Sequence, residues 1–141
     1  MKKIIALIVV CIMMFSFTGC EKKDDGNTLD IFYLNIDATA TVPEKYELKG
    51  SDESVDKQVD ELLDKLSSKP DDSKLRKTIP DDVEIKKHEE NAYSCTIDFS
   101  KSYYDMTAAE EVLMRASVVR TLTQLKQITY VMFTVCLLYT S

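Results

Sequence analysis

Thiols and imidazoles are the side chains best suited to nucleophilic and metal chemistry, and this sequence offers four cysteines and one histidine. Because His88 is the only histidine, no pair of histidine ligands exists. Cys95 lies in an alternating apolar run and is expected to be a small core residue, since a reactive thiol needs a cationic, partly open environment. The other three cysteines lie towards the termini. Neither a disulfide framework nor a thiolate metal site is therefore predicted.

Carboxylates are plentiful, but their spacing does not indicate a site. Pro-Asp-Asp occurs at residues 70–72 and 80–82, where turns are favoured over a calcium site because the alternating D-x-D-x-D-G pattern is missing. General acid–base chemistry needs a shielded carboxylate or a histidine. Asp98 is instead expected to face solvent and to close the turn into residues 103–105. With no G-x-S-x-G, P-loop or Rossmann glycine motif either, the sequence predicts no enzyme activity, catalytic residue, metal or cofactor.

The adjacent tyrosines Tyr103 and Tyr104 are the remaining candidates for contact with a ligand or partner. An aromatic ring with a polar tip can stack on a sugar, and it can equally pack against a neighbouring helix with its hydroxyl bonded. Packing against the following helix is the favoured interpretation, and sugar stacking is the alternative.

The N-terminus has the features of an export signal. A basic start is followed by fourteen residues, 4–17, with no charge, which is too short for a spanning helix and typical of a secretory signal peptide. The run ends in FTGC at residues 17–20, which resembles the lipobox of bacterial lipoproteins. That resemblance implies cleavage between Gly19 and Cys20, loss of residues 1–19 and acylation of the cysteine, with the acyl chains anchoring the protein.

The segment after the lipobox and the overall charge bear on the location of the protein. Residues 20–28 are polar after the lipidated cysteine and are expected to be a flexible tether. The protein is then extracytoplasmic and attached to the cell membrane by the lipid on Cys20. The net charge of −6 becomes more negative when the leader lysines are lost, which argues against nucleic acid and anionic headgroups as partners.

The final residues, 136–141, read CLLYTS and are unusually apolar for the end of a soluble domain. The codons TGT CTC TTA TAC ACA TCT would encode them, and that string matches the transposon end of common sequencing libraries. The segment is therefore interpreted as a non-native adapter tail, with a natural apolar tail as the alternative. A domain over residues 29–135 would then be incomplete at its C-terminus.

Hydrophobic periodicity predicts a strand and two helices between the termini. Residues 29–35 are apolar at both alternating parities, which is typical of a central strand buried on both faces. Residues 51–68 and 107–127 have the period of amphipathic helices, and the second begins with a T-x-x-E capping box. The stripe expected to face the core from that second helix comprises Ala109, Val112, Leu113, Ala116, Val119 and Leu122, widened by Val118 and Leu125.

Alternation predicts the remaining strands. Residues 83–88 and 93–100 form a hairpin with a turn near residues 89–91, and residues 129–135 form a last strand. Residues 37–50 are expected to be a loop with at most a short edge strand. The order β-α-β-β-α-β predicts an α+β, split-βαβ-like two-layer sandwich with both helices on one face of a mixed four-stranded sheet. In the hairpin, Tyr93, Cys95, Ile97 and Phe99 are expected to face the core, while His88, Ser94, Thr96, Asp98 and Ser100 face solvent.

Several segments resemble the GerMN domain, the sporulation and spore-germination module of Firmicutes lipoproteins. They include LDIFYLN, VDELLDKL, IPDDVEIKKHE and YSCTIDFSKSYYDM, and the most specific are residues 98–100 and VVRTLTQ at residues 118–124. The resemblance covers residues 29–135. It implies a fold like that of ring-building modules between membranes, and a non-enzymatic family without agreed catalytic residues. Some members help to build or stabilise the channel between mother cell and forespore.

Two functions of different classes remain. The first is a membrane-anchored extracytoplasmic lipoprotein that acts as a non-catalytic protein-interaction module in an envelope assembly, related to sporulation or germination. The alternative is a lipoprotein that binds cell-wall carbohydrate or a small ligand, with Tyr103 and Tyr104 as the contacts.

Overall fold

The computed structural model describes residues 26–137, so the predicted signal peptide, Cys20 and most of the suspected adapter tail lie outside the described residues. Within that range the chain forms six strands, two α-helices and one 3₁₀ turn. The elements in chain order are β1 (Thr28–Asn35), β2 (Thr41–Glu47), α1 (Val55–Ser67), β3 (Leu75–Arg76), β4 (Ile85–Asn91), β5 (Ser94–Phe99), the 3₁₀ turn (Lys101–Asp105), α2 (Ala108–Leu122) and β6 (Tyr130–Val135).

The strands form two three-stranded sheets. The first has the order β2-β1-β3 with antiparallel pairs, and the second has the order β4-β5-β6, in which β4 and β5 are antiparallel and β5 and β6 parallel. The predicted α+β class is confirmed, but the strands do not form the single four-stranded sheet that was expected. The reason is that β2 pairs with β1 along its length, from Thr28 opposite Glu47 to Leu34 opposite Thr41, and so takes one edge of the strand expected to join the hairpin.

Strand β2 was expected to be mostly loop, because Pro43 and three charged residues interrupt it. Its side chains nevertheless alternate, with Val42 and Tyr46 half-buried and Pro43 and Lys45 exposed. As an edge strand, β2 tolerates a proline whose missing N–H points away from β1. Pairing with a remote strand therefore outweighs a weak local preference.

Helix α1 forms as its periodicity predicts. Val59, Leu62, Leu63 and Leu66 are buried in a core shared with β1, β5 and α2. Cys95 lies in that core, fully buried, as predicted.

Helix α2 begins at the predicted capping box, with the Thr107 side chain accepting from Glu110 N and the Glu110 carboxylate accepting from Thr107 N. The expected buried stripe is confirmed at Val118, Leu122 and Leu125. It is wrong at Ala109 and at Val112, which is 65% exposed. Apolar residues occur around most of this helix, so periodicity alone does not decide which face turns inward. The buried face is formed by Met114, Ser117, Val118, Thr121 and Leu122.

The hairpin also differs from expectation in its turn and in its outer face. The turn lies at Ala92 and Tyr93, with Ala92 in the left-handed region at φ +54°, and Tyr93 is 67% exposed rather than in the core. Ser94, Asp98 and Ser100, which were expected to face solvent, are buried. Strand β5 is the central strand of its sheet, and its side chains are buried on both faces. The side chains of Ser94, Asp98 and Ser100 are bonded within the fold. In the part of the chain described, no helix is both long and apolar enough to cross a membrane.

Candidate functional site

One edge of strand β1 is closed by side chains where β3 no longer pairs with it. Thr121 Oγ1 accepts a hydrogen bond from Phe32 N at 3.1 Å, and Thr78 Oγ1 donates to Phe32 O at 2.8 Å. The amide of Gln124 accepts from Asp30 N at 2.8 Å and donates to Asp30 O at 2.7 Å. Four backbone groups that would otherwise need another strand are satisfied in this way, since buried backbone groups are rarely left unpaired.

Asp98 performs a comparable task in the second sheet. Its side chain is buried, and Oδ1 accepts hydrogen bonds from Thr134 Oγ1 at 2.9 Å and from Leu137 N at 3.1 Å. The expected role of Asp98 in closing the turn into residues 103–105 is therefore wrong, because its carboxylate bonds to Thr134 of β6 and to the backbone of Leu137 just after that strand. Ser100 instead joins the start of the hairpin, with Ser100 N donating to Glu84 O and Glu84 N donating to Ser100 Oγ.

The two segments that carry the most specific sequence resemblance thus contribute their polar side chains to the backbone of the fold. Among residues 26–137, Ser117 Oγ is the one buried side-chain nitrogen or oxygen that lacks a hydrogen-bond partner. Cys95 is a neutral thiol, because burial raises its pKa to about 12. These groups build the domain.

The tyrosine pair separates into one structural and one surface residue. Tyr103 is buried, packs on Phe99 with ring centroids 5.3 Å apart, and donates its hydroxyl hydrogen to Glu111 at 2.8 Å. Burial and the bond to Glu111 raise the pKa of Tyr103 to about 12. The favoured interpretation of packing against the second helix holds for Tyr103. Tyr104 is 70% exposed and remains available for contact.

A groove of about 880 Å³ lies beside β3 and the segment that follows it. Apolar side chains such as Leu34 and Leu75 line it together with Lys69, Arg76 and Glu110. None of its lining residues is aromatic, so the tyrosine pair and this groove are separate features.

His88 joins two elements and is not solvated as expected. Its side chain is only 11% exposed, with Nε2 at 2.6 Å from Asp60 Oδ1 and Nδ1 at 2.7 Å from Glu90 Oε1. Asp56 Oδ1 lies 3.9 Å from Nδ1. Burial by itself lowers the pKa of His88, but the bonds to Asp60 and Glu90 outweigh that effect and raise it above its usual value.

Asp56, His88 and Glu90 are also the group of side chains that could hold a metal ion, with their ligand atoms within 4.8 Å of one another. The short distances around the imidazole are those of charge-assisted hydrogen bonds. Two ligands bound to tetrahedral zinc at 2.0–2.1 Å would stand about 3.3 Å apart. The geometry is therefore that of a protonated imidazole between carboxylates.

Sequence reasoning missed this cluster although part of its signal was present. His88 and Glu90 alternate on one face of β4, and Asp56 and Asp60 are one turn apart on α1. Each spacing places two side chains on one face, but only the tertiary structure brings the two faces together.

The outer face of α2 is the apolar surface that the sequence had assigned to the core. We use this name for Ala109, Val112, Ala116 and Val119, which lie on one side of the helix opposite its buried residues. Val112 and Ala109 are exposed, and Ala116 and Val119 are half-buried. A helix on the surface of a monomeric domain normally carries polar residues there.

Two arginines flank this face. Arg115 lies over the ring of Phe133 at 4.9 Å and pairs with Glu111 at 3.0 Å. Arg120 lies over the ring of Phe32 at 3.9 Å and donates to Thr41 Oγ1 at 2.7 Å. Both long side chains are drawn down onto the sheets on either side of α2, which leaves the apolar stripe uncovered.

The fold and these surfaces define a small α+β domain whose buried polar residues serve its own backbone and whose second helix presents an apolar face. The chain belongs to the family described as Germane, sporulation and spore germination, whose profile matches residues 30–135. The GerMN resemblance of the sequence is thereby confirmed. No curated protein matches the sequence.

Solved structures share the fold. The first GerMN domain of the sporulation protein GerM from Bacillus subtilis is similar with a TM-score of 0.61 at 17% identity, covering 77% of this chain and 82% of that one. The tandem GerMN domains of the same protein give 0.57 at 16% identity, covering 77% of this chain and 38% of that one. A protein of Clostridium perfringens that is described as a lipoprotein gives 0.50 at 15% identity, with 77% and 74% covered.

Proposed function

We propose that this chain is a membrane-anchored, extracytoplasmic lipoprotein whose domain is a non-catalytic protein-interaction module in an envelope assembly of sporulation or germination. The family and the fold shared with GerM support the connection with sporulation. The observation that carries the interaction role is the outer face of α2, an apolar stripe that points away from the core.

The stripe has the composition of a contact surface. Removing apolar area from water contributes about 25 cal/mol per Å², so covering an exposed valine and its neighbours favours association. The flanking Arg115 and Arg120 are already held by rings and hydrogen bonds, and ordering them on binding costs little further entropy. The protein as a whole is acidic, but Arg115 and Arg120 place positive charge on both sides of the stripe. They favour a partner whose apolar contact surface is surrounded by acidic groups.

Anchoring through Cys20 would keep the interaction near the membrane. Seven residues, 21–27, separate that cysteine from the start of β1 at Thr28, and the eight steps from one to the other span about 26 Å in an extended chain. Labelling with a radioactive or alkyne fatty acid tests this part of the proposal. Cys20→Ala should abolish labelling and release the protein from the membrane fraction, whereas unchanged labelling of that variant contradicts it.

Introducing a positive charge into the apolar stripe tests the interaction role. In sporulating cells of the organism that carries the gene, Val112→Arg should remove the proteins that cross-link to the wild-type chain, as measured by quantitative mass spectrometry. Gln127→Arg adds the same charge at an exposed position beyond α2 and should leave those cross-links intact. If Val112→Arg retains every cross-linked protein at its wild-type level, the outer face of α2 is not the contact surface.

Binding of cell-wall carbohydrate is a second candidate, and the exposure of Tyr104 is the observation that favours it. The rings of Tyr103 and Tyr104 are perpendicular, with centroids 6.3 Å apart, and the Tyr104 side chain is largely exposed. Tyr104→Ala should abolish sedimentation with purified wall fragments without lowering the melting temperature. Tyr103→Ala is not a clean test, because that side chain is part of the core. Equal sedimentation of wild type and Tyr104→Ala excludes this candidate.

A further inference from the structure

The imidazole of His88 lies between helix α1 and strand β4 and contacts a carboxylate of each. Asp60 belongs to α1, Glu90 belongs to β4, and each places a carboxylate oxygen within hydrogen-bond distance of a different ring nitrogen. We propose that His88 is a proton-operated latch, which holds the first turns of α1 against β4 when it is protonated and releases them when it loses its proton.

The chemistry of imidazole requires this dependence on the proton. An ionised carboxylate only accepts hydrogen bonds, and a neutral imidazole carries a single N–H. Both contacts can be satisfied at once only by imidazolium, which has a hydrogen on each nitrogen. When that proton leaves, one N–H remains for two carboxylates, so the bond to Asp60 must compete with the bond to Glu90 and the link between α1 and β4 weakens.

The charges around the ring reinforce the protonated state. Three carboxylates face one imidazole, so protonation leaves the cluster with an excess of negative charge. The two lysines of β4 line the same cleft. Lys86 pairs with Glu84, and Lys87 pairs with Glu89. The titratable and charged groups that face the latch are Asp56, Asp60 and Asp64 from α1, Lys86, Lys87 and Glu90 from β4, and Cys95 from β5, whose thiol lies 3.9 Å from Glu90.

Release would uncover an apolar floor. The cleft between α1 and β4 holds about 350 Å³, and Leu63 and Ile85 line it beneath the charged rim. Leu63 is buried while the latch is closed. A small outward movement of the first turns of α1 would therefore expose this leucine, so the state of one proton controls access to an apolar patch.

The direction of the pH response follows from the raised pKa of His88 in the folded chain. An unfolded chain has a histidine pKa of about 6.5. A group whose folded pKa is higher than its unfolded pKa stabilises the fold fully below the unfolded value, and this contribution is lost as the pH rises through the folded value. The latch is closed in acid and opens as the pH rises through the raised pKa of His88.

The uniqueness of His88 makes the test direct. The full chain, kept in mild detergent with EDTA and free of any histidine tag, has one imidazole, whose Hε1 resonance can be followed by NMR as the pH is raised. We expect its midpoint to lie above 6.5. Asp60→Asn and Glu90→Gln should each lower the midpoint, whereas Asp64→Asn, at an exposed carboxylate one turn along α1, should lower it much less. A wild-type midpoint at or below 6.5 overturns the proposal.

A second readout separates a latch from a histidine that merely titrates. The backbone amide resonances of residues 56–60 should move with the same midpoint as the imidazole, and this movement should vanish in His88→Gln. Amides of α2 should not follow it. If the resonances of residues 56–60 are indifferent to the titration of His88, the proton does not control the helix and the latch is refuted. Asp60→Asn keeps the test valid should His88→Gln fold poorly.

Discussion

The two central strands of this domain, β1 and β5, have their edges completed in different ways. Strand β5 has a full strand on either side, β4 and β6. Strand β1 has a full partner in β2, but β3 pairs with only its last two residues. Along Asp30 and Phe32, side chains of Thr78, Thr121 and Gln124 take over. The end of α2 and the residues just after it thus replace the missing part of a strand.

This difference explains why the chain has two sheets. Because Thr121 and Gln124 satisfy the open edge of β1, no further strand can pair there, and β5 and its neighbours form a sheet of their own. It also explains the role of the segment VVRTLTQ, which carries much of the family resemblance. Two of its polar residues, Thr121 and Gln124, bond to the backbone of β1.

The largest expected effect comes from opening the side-chain edge. The double variant Thr121→Val and Gln124→Ala leaves Phe32 N and both backbone groups of Asp30 without their partners. Since an unsatisfied buried group costs about 1–3 kcal/mol and Gln124 is partly reached by water, we expect a loss of about 3 kcal/mol in the free energy of unfolding, measured with urea.

Thr123→Val is the matched control for that variant, because its hydroxyl bonds only to Val119 O within the helix. It should change the free energy of unfolding by less than about 0.5 kcal/mol. A loss below about 1 kcal/mol in the double variant would show that the edge of β1 does not depend on these side chains.

A smaller effect is expected where strands do most of the pairing. Asp98→Ala removes one acceptor shared by Thr134 and Leu137 N while the ladder between β5 and β6 remains. Hydrogen bonds to a charged group contribute about 1.5–3 kcal/mol, so we expect a loss of about 2 kcal/mol in urea unfolding. Asp98→Asn retains an oxygen acceptor and should lose less. Equal losses in the two variants would argue against the hydrogen bonds as the cause.

The smallest effect concerns acid sensitivity in the β1 half of the molecule. Glu61 accepts from Tyr46 Oη at 2.6 Å, Lys49 N at 2.8 Å and Gly50 N at 2.9 Å. Partial burial works in the opposite direction, but these bonds lower the pKa of Glu61 below its usual value. Its stabilisation is therefore present above pH 4.5 and is lost as the pH falls through the lower folded value.

Urea midpoints measured between pH 6 and pH 3 test this sign. The wild type should lose stability more steeply than Glu61→Gln, which cannot titrate at that position. Asp64→Asn, at an exposed carboxylate of the same helix, should keep the wild-type slope. Parallel slopes for wild type and Glu61→Gln would show that Glu61 does not contribute to the loss of stability in acid.

Features set by neighbouring residues were predictable from the sequence. The periodicity of α1, the capping box of α2, the apolar run of β1 and the buried position of Cys95 all depend on local spacing, and all are found. The family resemblance was likewise contained in short segments of sequence.

Features set by remote partners were not predictable. Strand β2 forms by pairing with β1. The inward face of α2 includes Thr121, which bonds to Phe32 N of β1. His88 is enclosed because α1 crosses β4. Each depends on a contact between residues far apart in the chain. The outer face of α2 could be identified only once the structure showed which side of the helix is buried.

The central claim is that the outer face of α2 binds a protein, and site-specific photo-cross-linking from position 112 in sporulating cells tests it most directly. The account predicts a discrete cross-linked protein from position 112, no such product from exposed position 57 on α1, and loss of the product when Ala116→Arg is added. No product from position 112, or the same products from both positions, would contradict the account.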